Sequence, residues 1–259
     1  MNSVIQTLLQ HRTYREFDPA VRIPAEQVQC MLDAARQAPS WMNGQHYSII
    51  RITDPELRQR IVAHQPNNPQ IGTCAEYWIF VADARRAMLC SHAAGGTFAA
   101  VGTPDTLITL TTDAALAAQN AVVAAESLGY GTCFTGSIRL INPELVEWLG
   151  LPPHTYPLFG LCIGKPSVDM RLKPRLPQPA VVAENAYPTD GALAEELEVY
   201  EDTMTAFAES REKFPYREKF ARYYSQEYAP RNIGLLHSQG LLTHPDGLNP
   251  QGSTEERDA

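Results

Sequence analysis

The sequence predicts an α+β or α/β protein, because helical segments alternate with about four short apolar runs that are typical of buried strands. These runs cover residues 47–52, 76–82, 132–135 and 157–164. With 259 residues, of which 44% are hydrophobic and 19% are charged, the chain is long enough for a large globular domain. A Pro-rich stretch and further helical segments follow the last run and predict an appendage to this core.

The first elements of the core follow ordinary capping signals. A helix is predicted over residues 2–10, and a second helix, whose first residue is a proline, covers residues 24–37. Residues 38–45 form a polar loop before the first strand, and Asp54 followed by Pro55 marks the start of the next helix.

The longest predicted element is a helix over residues 106–128. Its second half, residues 114–125, is rich in alanine and apolar on nearly every side, which predicts a central helix that is buried all round. Gly129 ends this helix before the third strand, and Asn142 begins a short helix before the fourth.

The C-terminal third predicts an appendage and a tail. Residues 165–230 are expected to form an extended, Pro-rich excursion followed by helices at 192–209 and 216–224. Residues 244–259 are small, polar and charged, and are expected to be disordered. We therefore predict one domain over residues 1–243.

Charge and composition exclude several classes of function. A formal net charge of -8 and a pI near 5.4 argue against nucleic-acid binding. The N-terminus lacks signal-peptide features and no apolar stretch is expected to span a membrane, so the prediction is a cytoplasmic protein without a membrane partner. The five cysteines show no C-x-x-C spacing and the seven histidines no H-E-x-x-H spacing, which predicts reduced thiols and no metal site.

A cluster of cations near the N-terminus is the first candidate site. It consists of His11, Arg12 and Arg15. Two guanidiniums so close together suit a small, doubly charged anion such as a phosphomonoester. The alternative is a solvated turn in which the arginines pair with Glu16 and Asp18. A second basic patch, Lys173-Pro174-Arg175, favours the anion site.

Several polar loops between these two patches suit a flat, phosphorylated cofactor. They contribute Ser40, Asn43, Gln45, Asn67, Asn68 and the sequence Thr135-Gly136-Ser137. No dinucleotide fingerprint, P-loop or nucleophile elbow is present. A flavin needs cations for its phosphate, a positive charge near N1/O2 and a donor near N5. The alternatives are turn formation for Ser40 and Asn43, a plain strand end for Gly136, and a solvated loop for Lys173 and Arg175.

The blocks His11-Arg12-x-x-Arg15-x-Phe17, Ser48–Asp54, Ala118–Ala121, Ala125–Gly129 and Pro157–Gly164 together resemble the FMN-dependent nitroreductase family. The stretch Leu172-Lys173-Pro174-Arg175-Leu176-Pro177 is similar to its oxygen-insensitive NADPH nitroreductase and flavin reductase P branch. The resemblance spans about residues 1–240 and implies an α+β fold, with a central, mainly antiparallel sheet flanked by helices. It also implies an intertwined homodimer with a C-terminal helical excursion and an FMN at each of its two interface sites.

The resemblance also assigns the cofactor-binding residues. One subunit would supply His11, Arg12, Thr13, Arg15, Asn68, Phe134, Thr135, Gly136, Ser137, Lys173 and Arg175, and the other would supply Ser40, Met42 and Gln45. Four positions depart from the family pattern: Thr13 replaces a serine, Asn68 a glutamine, Ser137 a glycine, and the bulky Trp41 stands among expected small residues. No side chain is expected to be catalytic, because the reaction takes place at N5 of FMN.

The implied reaction is a two-electron, ping-pong transfer from NADPH through FMN to nitroaromatics, quinones or free flavins. Arg211, Lys213 and Arg217 are candidates to bind the 2′-phosphate of NADPH, although this segment also fits a solvated linker neutralised by Glu212 and Glu218. Two other interpretations stay open: a low-turnover flavin-binding or redox-sensing protein, and a flavoenzyme with oxidative or dehalogenating chemistry.

Overall fold

The computed structural model describes residues 1–208 and 213–243. The chain divides into two compact units, one formed by Met1–Asp169 with the chain from Arg231 onward and the other by Met170–Pro230. Each unit is considered by itself below. The predicted disordered tail, 244–259, and the candidate NADPH residue Arg211 lie outside the described residues. That residues 1–243 form one domain stays a prediction.

The described chain contains four strands and ten helices. The strands are β1 (Tyr47–Arg51), β2 (Glu76–Asp83), β3 (Gly131–Thr135) and β4 (Thr155–Gly164). The helices are α1 (Ser3–Leu9), α2 (Ala25–Arg36), α3 (Pro55–Ala63), α4 (Gln70–Thr73), α5 (Arg85–Ala93), α6 (Pro104–Ser127), α7 (Asn142–Trp148), α8 (Asp190–Phe207), α9 (Tyr216–Tyr224) and α10 (Arg231–Ser238). Short 3-10 turns cover Trp41–Asn43, Gly136–Ile141 and Gln178–Ala180.

The four strands form one antiparallel sheet in the order β1-β2-β4-β3. This confirms the predicted α+β class. Strand β2 is buried from Tyr77 to Asp83, as its near-continuous apolar sequence predicts, because helices cover both faces of the sheet. On one face Trp78 and Phe80 pack with residues of α2 and α6, and on the other Tyr77 and Ile79 pack with Ile61 and Leu145. The sheet therefore separates two hydrophobic layers, and β3 lies at one edge.

Helix α6 is buried on one side only. Its buried residues recur at helical spacing: Leu110, Asp113, Ala114, Ala117, Ala118, Ala121, Val122 and Ala125. On the opposite side Ile108 is 64% and Leu116 39% exposed. The prediction that residues 114–125 are buried all round is therefore wrong for a single chain. By length and composition alone α6 could also cross a membrane, which the sequence analysis had not predicted, but its alanine face packs into the core as in a globular domain.

Three helices were missing from the sequence prediction: α4, α5 and α10. They have 4, 9 and 8 residues, and α4 and α5 also lack a side-chain cap of the kind that Asp54 gives to α3. In the second unit the Pro-rich excursion is held to α8, since the Tyr200 hydroxyl donates to the carbonyl of Pro174 at 3.1 Å. The ring of Tyr200 also meets Tyr216 of α9 edge-on, with 4.8 Å between centroids.

Candidate cofactor site

The cationic segment, residues 11–15, lies along the free edge of the sheet. The Tyr14 N–H donates to the carbonyl of Thr132 at 2.9 Å, and Thr13 forms a parallel bridge with Thr132. Because the two chains run in the same direction there, Arg15 follows Thr13 along the edge as Phe134 follows Thr132. The register therefore brings the N-terminal arginines to the strand that leads into Gly136.

The three cationic side chains of this segment differ in what they contact. His11 Nδ1 lies 2.6 Å from Glu126 of α6. The Arg12 guanidinium donates to the side chain of Gln10 at 2.7 Å, and it lies 3.8 Å from the exposed carboxylate of Asp169. Arg15 is half-buried, and its guanidinium has no hydrogen bond or ion pair with any residue in 1–208 or 213–243. Arg15 thus keeps its donors available for a ligand.

The end of β3 combines an exposed ring with a rigid support. Phe134 is 42% exposed, and its ring meets Phe159 edge-on at 5.3 Å. The hydroxyls of Thr135 and the buried Tyr77 are 3.0 Å apart. Burial raises the pKa of Tyr77 well above its ordinary value, so this phenol stays protonated. A Cβ on Gly136 would meet no atom within 4 Å, so its backbone faces open space.

A buried amide network connects Asn68 with Ser137. The Asn68 amide donates to the Ser137 hydroxyl at 2.6 Å, and this hydroxyl donates to Gln65 Oε1 at 2.7 Å. Gln70 donates to Asn68 Oδ1 at 2.9 Å. Gln65 and Gln70 are only 3% and 2% exposed, and the sequence analysis missed both. The sequence offered one sign of their role, since both glutamines lie within three positions of the candidates Asn67 and Asn68.

The loop that carries Ser40, Met42 and Gln45 lies between α2 and β1. Trp41 and Met42 are 65% and 85% exposed. The loop borders a groove of about 1150 Å³, which Leu32, Arg86, Phe98, Val101 and Leu110 also line. The bulky side chain of Trp41 therefore lies at the surface of the single chain and not inside its core.

The second unit holds the remaining candidates. Arg175 donates to the carbonyl of Lys173 at 3.3 Å, and both residues lie in the excursion. Arg217 is ion-paired with Glu201. Lys213 lines a cavity of about 270 Å³ with Phe214, Tyr216 and Lys219. Lys219 is thus a further cation at this place that the sequence analysis had not named.

Three of the cysteines are buried and two, Cys30 and Cys90, are exposed. All five cysteines are free thiols. Burial raises the pKa of Cys162, whereas at Cys74 the contacts with Cys162 and Arg58 overcome the effect of burial and lower the pKa. Both thiols lie in the core beneath the sheet. Within residues 1–208 and 213–243, no three His, Cys, Asp or Glu side chains could hold a metal ion together.

Residues 8–165, which include the antiparallel sheet and the arginines at its edge, match the model of the Nitroreductase family. Residues 173–244 match the C-terminal domain of the same family. The chain therefore belongs to the nitroreductase family.

Individual relatives cover almost the whole chain. An oxygen-insensitive NADPH nitroreductase of Salmonella typhimurium is 35% identical over 249 residues, which are 94% of this chain and 100% of the relative. An FMN reductase [NAD(P)H] of Bacillus subtilis is 31% identical over 93% of this chain and 98% of its own length. The structure of the NADPH:FMN oxidoreductase from Vibrio harveyi complexed with NAD+ superposes with a TM-score of 0.84 at 31% identity, covering 94% of this chain and 100% of that chain.

Proposed function

We propose that this protein is an FMN-dependent NAD(P)H oxidoreductase that uses NADPH to reduce nitroaromatics, quinones or free flavins. The observation that carries the proposal is the half-buried Arg15 guanidinium, which has no partner among the described residues. A buried or half-buried cation usually has an anionic or polar partner, so its free donors point to a ligand. The relatives from Salmonella typhimurium and Bacillus subtilis, an NADPH nitroreductase and an FMN reductase, have activities of this kind.

The residues at the sheet edge fit an FMN group. Arg15 offers a fixed positive charge, Phe134 an exposed ring, and Gly136 a backbone that a flat ring system can approach closely. Asn68 and Ser137 offer amide and hydroxyl groups that their network holds in place. When bound by these residues, FMN would supply the chemistry for transferring two electrons from NAD(P)H to the acceptor. The protein's part is to bind, to orient and to supply charge. As the family resemblance implies, we assign His11, Arg12, Lys173 and Arg175 to the phosphate, and we keep Thr13 among the cofactor-binding residues.

A cytoplasmic homodimer completes the proposal. The exposed side of α6 carries Ile108, Ala115 and Leu116 beside Thr111 and Thr112, and a second subunit would cover it. The loop with Ser40, Met42 and Gln45 would then contribute to the cofactor site of the partner. The five free thiols suit a reducing compartment.

Cations of the second unit would select NADPH over NADH. Lys213 has no ion pair within the described residues, and it shares a cavity with Lys219 and two aromatic rings. NADPH carries one phosphate more than NADH, so a pair of lysines would bind NADPH more tightly than NADH. We propose that Arg211 and Arg217 also contribute to binding the 2′-phosphate of NADPH.

The visible spectrum of the purified protein tests the function directly. The protein should be yellow, lose its colour anaerobically on addition of NADPH, and regain it when a nitroarene is added. Colour without turnover would instead favour the low-turnover flavin-binding or redox-sensing protein, for which the bulky, exposed Trp41 within the loop is the supporting observation. A colourless protein that binds no added FMN would contradict both.

A further inference from the structure

Asp113 is a buried carboxylate that the proposed reaction does not use. It lies on α6 and is 2% exposed. Its Oδ1 accepts a hydrogen bond from the Trp41 N–H at 2.9 Å, and its Oδ2 accepts from the N–H of His46 at 3.1 Å and from His46 Nδ1 at 2.8 Å. One carboxylate therefore holds both ends of the loop formed by residues 41–46.

Backbone preferences alone do not select the conformation of this loop. Met42, Asn43 and Gln45 have φ angles of 51°, 56° and 49°, in the left-handed region that side-chain-bearing residues disfavour. Such residues keep this conformation only where the surrounding contacts impose it. Hydrogen bonds to a charged acceptor are the strongest contacts available for this purpose.

Two further contacts act on the same loop. Arg86 donates to the carbonyls of Gln45 and Tyr47 at 2.6 and 2.5 Å. A Cβ on Gly44 would lie 2.1 Å from the His46 ring, so a larger residue at this position would force the ring to move from its place beside Asp113. These anchors lie at the base of the loop, whereas the side chains of Trp41 and Met42 are exposed.

We infer that Asp113 is a positioning residue that fixes residues 41–46, so that each subunit presents Trp41 and Met42 to the cofactor site of its partner. The inference rests on the proposed function, because it requires a cofactor site at the subunit interface. Asp113 itself acts only through the loop. Its loss should therefore impair the site of the partner subunit and leave the site of its own subunit intact.

Hydrogen exchange tests the anchoring without any cofactor. In Asp113→Asn the amide group offers one acceptor oxygen in place of two and turns an N–H toward a donor. The amides of residues 41–46 should exchange several-fold faster than in the wild type. Asp33→Asn, an exposed aspartate on α2, is the matched control and should leave the loop unchanged. Unchanged exchange of the loop in Asp113→Asn would overturn the inference, whatever the activity of the protein.

A heterodimer tests the presentation in trans. Two tags allow purification of dimers with Arg15→Ala in one subunit and Asp113→Asn in the other. If the loop acts on the partner, both defects fall in one site and the other site is intact, so about half of the wild-type activity and one FMN per dimer should return. If Asp113 acts within its own subunit, both sites are defective and neither activity nor FMN binding recovers.

Gly44→Ala is a second variant, which keeps the inference testable when Asp113→Asn does not fold. Gly44→Ala leaves Asp113 in place and moves the His46 ring, which removes one of the three hydrogen bonds to Asp113. It should therefore raise the exchange of residues 41–46 in the same direction but by less, and any loss of activity should recover in heterodimers in the same way. A wild-type protein that neither binds flavin nor oxidises NADPH would refute the proposed function. An active wild type whose heterodimers stay inactive would refute the inference alone.

Discussion

His11 and Glu126 are 115 positions apart in the chain, yet His11 Nδ1 lies 2.6 Å from the Glu126 carboxylate. The same carboxylate oxygen accepts the hydroxyl of Thr132 at 2.9 Å. Glu126, whose side chain is 12% exposed, thereby connects the cationic segment to α6 and to β3. Glu126 therefore adds a side-chain anchor to the backbone contacts that hold this segment at the edge of the sheet.

Removal of Glu126 should destabilise the protein. Glu126→Ala leaves the His11 ring and the Thr132 hydroxyl without their acceptor, which costs about 1–3 kcal/mol of the free energy of unfolding. Urea denaturation measures this loss. Glu147→Ala, an exposed glutamate on α7, should change the stability by less than about 0.5 kcal/mol and serves as control. Equal effects of the two variants would show that Glu126 has no such role.

Arg15 should be necessary for tight binding of the cofactor. Arg15→Ala removes one charge-assisted contact, worth about 1.5–3 kcal/mol, so the Kd for FMN should rise roughly tenfold or more. Fluorescence titration with FMN measures it. Lys173→Ala should also raise the Kd for FMN, because it removes a cation that we assign to the phosphate. Arg22→Ala is the matched control, since the exposed Arg22 only donates to the carbonyl of Pro19. Stoichiometric FMN in dialysed Arg15→Ala would contradict the assignment.

The pair of Glu144 with Arg231 should contribute to stability at neutral pH. The hydrogen bond from Arg231 lowers the pKa of Glu144, so its contribution is present above the ordinary pKa of a glutamate and is lost as the pH falls through the lowered value. Both side chains are partly exposed, which limits the contribution to about 1 kcal/mol.

Glu144→Gln should therefore lower the unfolding free energy at pH 7, and the difference from wild type should shrink in acid. Urea denaturation at a series of pH values measures both effects. A difference that grows as the pH falls would have the wrong sign for this pair.

The exposed side of α6 should be part of a subunit interface. Leu116→Glu replaces an exposed apolar side chain on this side of α6 by a charge, and burying an unpaired charge opposes association. Sedimentation should show dimers for the wild type and monomers for the variant at micromolar protein. Ile233→Glu on α10, which is also exposed, should stay dimeric. A wild-type monomer carrying FMN would end the dimer proposal.

The sheet and the long helices could be predicted because their signals are local. Apolar runs and helical spacing mark them within a few turns of chain. The exposure of one side of α6 could not be predicted, because alanine suits both a core and a subunit interface. Gln65 was missed for a different reason: its partner Ser137 is 72 positions away, and only the fold brings the two together. Arg15 was found because clustered cations are conspicuous in an acidic chain.

The last prediction concerns the choice between NADPH and NADH. Arg217 is occupied by its ion pair with Glu201, whereas Lys213 has no such partner in the described chain. Lys213→Ala should therefore raise the KM for NADPH roughly tenfold and leave the NADH reaction nearly unchanged, because only the contact with the 2′-phosphate is lost. Arg217→Ala should act in the same direction but more weakly. Steady-state kinetics with both nucleotides measures this selectivity, and equal changes for NADPH and NADH in Lys213→Ala would place it elsewhere in the protein.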